Sequence, residues 1–205
     1  MRAHDLSTSR DYIFTVGHSN ISFEELLQLL VSYDIEAVAD VRSQPYSKYS
    51  PHFSRNHLEP RIEGAGLTYE FMGHQLGGRP DEREYYDDHG HVRYDTWSED
   101  ERFLDGIATL ESIARRRRWV ILCSEGNPRS CHRHLLIARV LASRGWPTSD
   151  IVHIETNGSC VAEESLPEQR DLFGGSVSWR SPQSVLPGVQ LSTSSSDSAW
   201  PEYDV

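Results

Sequence analysis

Residues 120–136 read VILCSEGNPRSCHRHLL, placing two cysteines, a glutamate, two histidines and two arginines between an apolar run and a helix-like run. Cys123 to Arg129, followed by Ser130, has the Cys-x5-Arg-Ser spacing of the cysteine-dependent phosphatase loop. A thiolate at a strand end, facing backbone N–H groups at a helix start, has a depressed pKa and shares an anion cradle. An arginine there would grip phosphate oxygens bidentately. The same layout serves a sulfurtransferase whose thiolate carries a persulfide sulfur. Against both, Glu125 puts charge into the cradle and Pro128 lacks an N–H, while Asn127-Pro128 also reads as an ordinary N-cap and N1 pair. Three other readings stay open. Cys123, Cys131 and His132, with His18 as a distant fourth donor, are metal-ligand types, although zinc pairs usually have roughly two to four intervening residues. Cys131 is also a candidate resolving partner for Cys123, and both cysteines suit simple burial.

Such groups need a scaffold, and hydrophobic patterning supplies one. YIFTVGH (12–18) and IEAVADVR (35–42) read as buried strands flanking SFEELLQLLVSYD, whose Ser22 and Glu25 form a capping box ahead of the stripe Phe23, Leu26, Leu27 and Leu30. Strand, helix, strand predicts a parallel pair joined by a crossover. SQPYSKYSPHFS (43–54) is long and Pro/Ser/Tyr-rich, which predicts a functional loop. A short helix follows over 56–63, with Pro60 as breaker or first-turn residue, and then LTYEFMG (67–73) as a strand. Ser98 and Glu101 repeat the capping-box pattern before a helix that ends at Arg115 to Arg118, cations that suit a helix C-terminus. WVILC (119–123) is the strongest strand signal, HRHLLIARVLASRG is helical with Gly145 as its stop, and DIVHIET (150–156) adds a strand.

This alternation predicts a three-layer, Rossmann-like α/β fold: a mostly parallel sheet, helices on both faces and a disordered C-terminal tail. The expected organisation is a flexible 1–11, a single α/β domain over 12–156, an extension over 157–175 and a tail over 176–205 rich in Ser, Pro and Gly. Ligands in such sheets bind beyond the strand C-terminal ends. That rule gathers His18, Ser19 and Asn20 after the first strand, Asp40 and Arg42 at the second, and Cys123, Ser124 and Glu125 at the central one. Only one of Asp40 and Arg42 is expected to enter the cleft, the arginine alternatively tying down the 46–53 loop.

With 20 Lys and Arg against 31 Asp and Glu, the chain has a net charge of -11, which excludes non-specific coating of nucleic acid. Three cysteines are no disulfide framework, and the polar N-terminus lacks a signal-peptide core. No apolar run approaches the ~20 residues that cross a bilayer. A soluble, cytoplasmic setting without membrane partners is expected.

YIFTVGHSN with FEELL, VADVRSQPYSKYSPHF, LTYEFMGHQLGG and VILCSEGNPRSCHRHLLIARVLASRG followed by VHI together resemble the domain-of-unknown-function 488 family over residues 12–156. The resemblance implies a compact α/β domain with pattern residues Gly17, His18, Ser19, Asp40, Arg42, Pro45, Ser47, Leu76, Gly77, Gly78, Cys123, Glu125, Cys131, His132 and Arg133. It does not require an arginine at 129, so it favours Arg133 over Arg129 as anion binder and joins the two cysteines, Glu125, His132 and Arg133 into one constellation.

The leading expectation is a cysteine-dependent transferase or hydrolase acting on a small anionic or nucleotide-like ligand. Cys123 would be nucleophile or sulfur carrier, His18, Asp40, Glu125 and His132 acid–base groups, and Ser19, Asn20, Arg42, Arg129, Cys131 and Arg133 ligand contacts. One alternative is a metal-binding protein using Cys123, Cys131 and His132. Another rests on Gln169-Arg170-Asp171-Leu172-Phe173, which looks like the peptide by which bacterial replication and repair proteins dock on the sliding clamp, and predicts a non-enzymatic adaptor held near DNA through Gln169, Leu172 and Phe173.

Overall fold

The computed structural model describes residues 11–47, 50–167 and 179–184. Most of the expected flexible N-terminus and the whole Gln169–Phe173 peptide lie outside them. β1 (Ile13–Gly17) leads into α1 (Phe23–Ser32), where the predicted capping box forms: Ser22 N donates to Glu25 Oε2 at 2.7 Å, and Glu25 N to Ser22 Oγ at 3.2 Å. Phe23, Leu26, Leu29 and Leu30 face the core, while Leu27 is only partly buried. β2 (Ala37–Asp40) is followed by the long loop, α2 (Arg55–Gly64), which runs through Pro60, and β3 (Thr68–Phe71).

The next stretch is more structured than its composition suggests. It holds α3 (Gly73–Leu76), β4 (His91–Arg93) and α4 (Tyr94–Trp97), ahead of α5 (Glu101–Ala114). Asp100, not Ser98, caps α5, its side chain accepting from Arg102 N; the Ser98/Glu101 box expected from the sequence does not form. β5 (Trp119–Cys123) follows the arginines. The expected single helix after it is two pieces, a π-helical stretch Arg133–Ala138 running into α6 (Arg139–Ser143). β6 (Ile151–Ile154) and β7 (Cys160–Ala162) complete the main sheet past residue 156.

The six strands lie in the order β3-β2-β5-β1-β6-β7, parallel except for the β6/β7 pair. β1 and β2 are therefore parallel but not neighbours as expected, because β5 lies between them. Strand residues alternate between two cores. Val120 and Leu122 pack with α1 and α2, whereas Trp119 and Ile121 pack with α5 and α6. Helices thus cover both faces, and the chain leaves adjacent strands β1 and β5 toward opposite ones, which opens a crevice at their C-terminal ends.

Part of the 176–205 segment is ordered: β8 (Arg180–Ser184) pairs antiparallel with β4. Trp179 precedes it, donating Nε1–H to Leu135 O at 2.6 Å beneath the Arg139 guanidinium. No helix among the described residues is long and apolar enough to cross a membrane.

Candidate metal centre

Cys123 ends β5 with its backbone gripped from β1: His18 N donates to Cys123 O at 3.0 Å and Ser19 N to Ser124 O at 2.8 Å. The loop then crosses the end of β1, which only glycine permits, since a Cβ on Gly17 would lie 1.7 Å from Glu125 O. Asn127 Oδ1 caps a short 3-10 turn, Pro128–Ser130, by accepting from Arg129 N. The turn reverses the chain and returns Cys131 and His132 to Cys123.

Four donor atoms meet there. Cys123 Sγ lies 2.8 Å from Glu125 Oε2, 3.1 Å from Cys131 Sγ and 3.5 Å from His132 Nδ1, and Cys131 Sγ lies 3.2 Å from Glu125 Oε2. All four fall within 4.8 Å of one another. His132 Nε2 is 3.2 Å from Val41 O, and a carbonyl only accepts, so Nε2 carries a proton and Nδ1 faces the sulfurs, with a lone pair there whenever the ring is neutral. A metal-binding histidine is oriented in this way by its second nitrogen. Gly78 holds the ring from behind, where a Cβ would meet His132 Cγ at 2.6 Å.

The four groups of this cluster titrate against one another. Burial opposes ionisation of both thiols. Cys131's hydrogen bond and the His132 charge nevertheless hold Cys123 below an ordinary thiol, while Cys131, facing Cys123 and Glu125, is pushed well above. His132 is raised despite burial because it faces Cys123 and Glu125. Two thiolates and a carboxylate carry three negative charges, so a divalent cation leaves one. Arg133 is fully buried beside the cluster, its backbone N 3.5 Å from Cys131 Sγ. Its Nη2 donates to Gly126 O at 2.7 Å, while Nε and Nη1 have no partner among the described residues. That guanidinium matches the remaining charge.

The cluster forms one end of a polar cavity of about 250 Å³, to which Cys123, Glu125 and His132 contribute. Arg42, Ser43, Gln44 and Tyr46 line it from the segment that follows β2. Gly78, Arg79, Tyr94 and Ser130 extend it, and Ser181 to Gln183 of β8 close one side.

The other predicted residues separate by role. Asp40 is fully buried and saturated: it accepts from Arg42 N, Nε and Nη2 and from the Tyr69 hydroxyl at 2.6 to 3.1 Å. β2 has ended at Asp40, and Arg42 folds back onto it. Arg42 also donates to Phe53 O at 2.7 Å, tying down the loop. His18 donates Nδ1–H to Ser19 O and so accepts from Arg42 at Nε2, stacked on Phe53. Burial and Arg42 lower its pKa to about 4. His18 and Asp40 are thus struts for Arg42 and do not line the cavity. Ser19, Asn20 and Arg129 are exposed outside it, which separates the Cys123 and Arg129 pair suggested by spacing. Arg133 lies beneath the loop, not in the cavity. Arg79, Tyr94 and β8 were missed; the Leu76-Gly77-Gly78 turn was the available signal for the first.

The family model described as Domain of unknown function DUF488 matches residues 22–141, more than half the chain. The chain belongs to that family. The DUF488 segment contains all four donors together with β2, β3, β4 and β5, but it begins after β1 and ends before β6. No curated protein and no solved structure matches.

Proposed function

We propose that Cys123, Cys131 and His132 hold a divalent metal ion of the zinc class, with Glu125 beside it as an acid–base group and the fourth position open, and that the centre carries out metal-assisted hydrolysis on a small polar ligand in the cleft. The observation carrying this reading is the approach of two sulfurs and a carboxylate oxygen to about 3 Å, each with the others, around a histidine lone pair. Three electron-rich atoms so placed repel unless protons or a cation lie between them. Sulfur and nitrogen donors favour zinc over magnesium or calcium.

A metal held by these two cysteines and the histidine would supply a Lewis acid able to bring the ionisation of a water to near pH ~7. Glu125 borders the cavity and sits two residues from the first ligand, which suits it to accept a proton from that water. The cavity's hydroxyls orient the ligand, Arg42 ties down the loop that carries part of the lining, and Arg133 balances the charge from below. Reduced cysteines also suit a cytoplasmic location.

Protein purified without chelator is expected to contain one equivalent of metal by elemental analysis, lost in Cys131→Ser. Cobalt loading is expected to give a sulfur-to-metal charge-transfer band. A wild-type protein that neither retains metal nor shows the band overturns the centre. It would favour the rival reading, a metal-free Cys123 thiolate beside His132, which the depressed Cys123 pKa supports and which requires alkylation below the ordinary thiol range. Independently, the Gln169–Phe173 peptide makes sliding-clamp docking a second proposal for the extension.

A further inference from the structure

We propose that the Tyr94 hydroxyl and the Arg79 guanidinium form an oxyanion subsite in the cleft, which takes the phosphate group of a small phosphate ester. This rests on the metal reading, because a metal held by the cysteines and His132 would supply a third contact to the phosphate.

Tyr94 is 2 % exposed, yet it lines the cavity. Its ring packs edge-on to Trp179, with centroids 6.4 Å apart, and its backbone N donates to Trp179 O at 2.9 Å. Four other buried tyrosines each donate a hydroxyl hydrogen bond: Tyr33 to Gly158 O, Tyr69 to Asp40, Tyr85 to Asp100 and Tyr86 to Pro80 O. The Tyr94 hydroxyl has no such partner among the described residues. The hydroxyl is not among the buried polar atoms that lack a partner, so it opens on the cavity, where a rigid donor that the protein leaves unused is free to meet a ligand. Burial and the charges of Cys131, Cys123 and Glu125 oppose its ionisation, which keeps it a donor.

Arg79 supplies the charge. Its backbone N donates to Ser43 Oγ at 2.9 Å and its Nη2 to Gln183 Oε1 at 3.2 Å, anchoring the side chain and leaving the rest of the guanidinium fork for a ligand. Arg42, the other cavity arginine, is neutralised by Asp40 at 2.6 Å. Because Arg133 offsets the metal cluster, Arg79 remains the cavity's uncompensated cation among the described residues. A forked cation, a neutral donor and a metal are suited to the separate oxygens of a tetrahedral anion. At about 250 Å³ the cavity has room for a phosphate with a small organic group.

The test is calorimetric titration of inorganic phosphate, AMP and adenosine into the full chain, with metal content measured on each sample. Phosphate and AMP are expected to bind and adenosine not to. Tyr94→Phe and the exposed-site variant Arg79→Gln are each expected to keep the metal and lose on the order of tenfold in phosphate affinity. Phosphate binding unchanged in both variants, no phosphate binding to metal-loaded wild type, or adenosine binding as tightly as AMP overturns the subsite. Absence of metal from wild type overturns the preceding reading instead, and the same variant comparison on that protein still decides whether Tyr94 and Arg79 bind an oxyanion.

Discussion

His18 illustrates how residue type misleads about role. A histidine after a strand at the ligand edge reads as an acid–base group, but its two nitrogens are spent on Ser19 O and Arg42. Its folded-state pKa, about 4, lies below the ordinary histidine value, so the unfolded chain takes up its proton first as pH falls. The stabilisation is complete above about pH 6.5 and is lost on descent through about pH 4, with an upper bound of about 3 kcal/mol. Urea unfolding over that window is expected to show a smaller pH slope in His18→Gln than in wild type, and equal slopes would sink the neutral-strut assignment. The cysteines, Glu125 and His132 were legible because strand-end topology and local spacing gathered them. The outward position of Arg129 was not, since it depends on the sense of the 3-10 turn at Pro128–Ser130, which residue spacing does not encode.

Elements position the centre through close backbone approach as much as through side chains. Gly78 borders His132 with no room for a methyl group, its Cβ position being 2.6 to 2.9 Å from three ring and side-chain atoms. Gly78→Ala is expected to shift the imidazole and weaken metal binding by about tenfold or more, as loss of ligand orientation does. Competition against a chelator measures this, and an affinity equal to wild type would show that the ring is positioned by Val41 O alone. The π-helical stretch after His132 is the other device. Its irregular turn buries Arg133 and directs His134 to Glu163, which also accepts from His153 at 2.6 Å. Apolar periodicity showed a helix at 133–143 but could not distinguish π from α winding, because the same residues are buried in either. Likewise, the strand-helix-strand opening was legible as parallel, but the insertion of β5 between β1 and β2 follows from a pairing made some 80 residues later.

At the scale of the whole molecule, the alternation of apolar runs specified the layered α/β sheet, whereas segments that gain order only by docking escaped notice. β8 is such a segment: RSPQS has no strand signature of its own and is held by β4 and by Trp179 on the Leu135 carbonyl. Recruitment through the extension is a separate question. Immobilised sliding clamp is expected to capture wild type and to lose Leu172→Ala/Phe173→Ala, while equal capture, or none from either, would remove the docking proposal.

One wall of the cleft lies outside the segment that carries the donors and the rest of the lining. The donor loop lies inside the DUF488 segment, whereas Ser181 to Gln183, a wall of the cleft, lie about 40 residues beyond its end. A relative could exchange that wall for another without disturbing one metal donor, which would let a single reactive centre serve ligands of different shape. Ligand preference in the family should therefore be sought by grafting C-terminal segments between members rather than by substitution around Cys123.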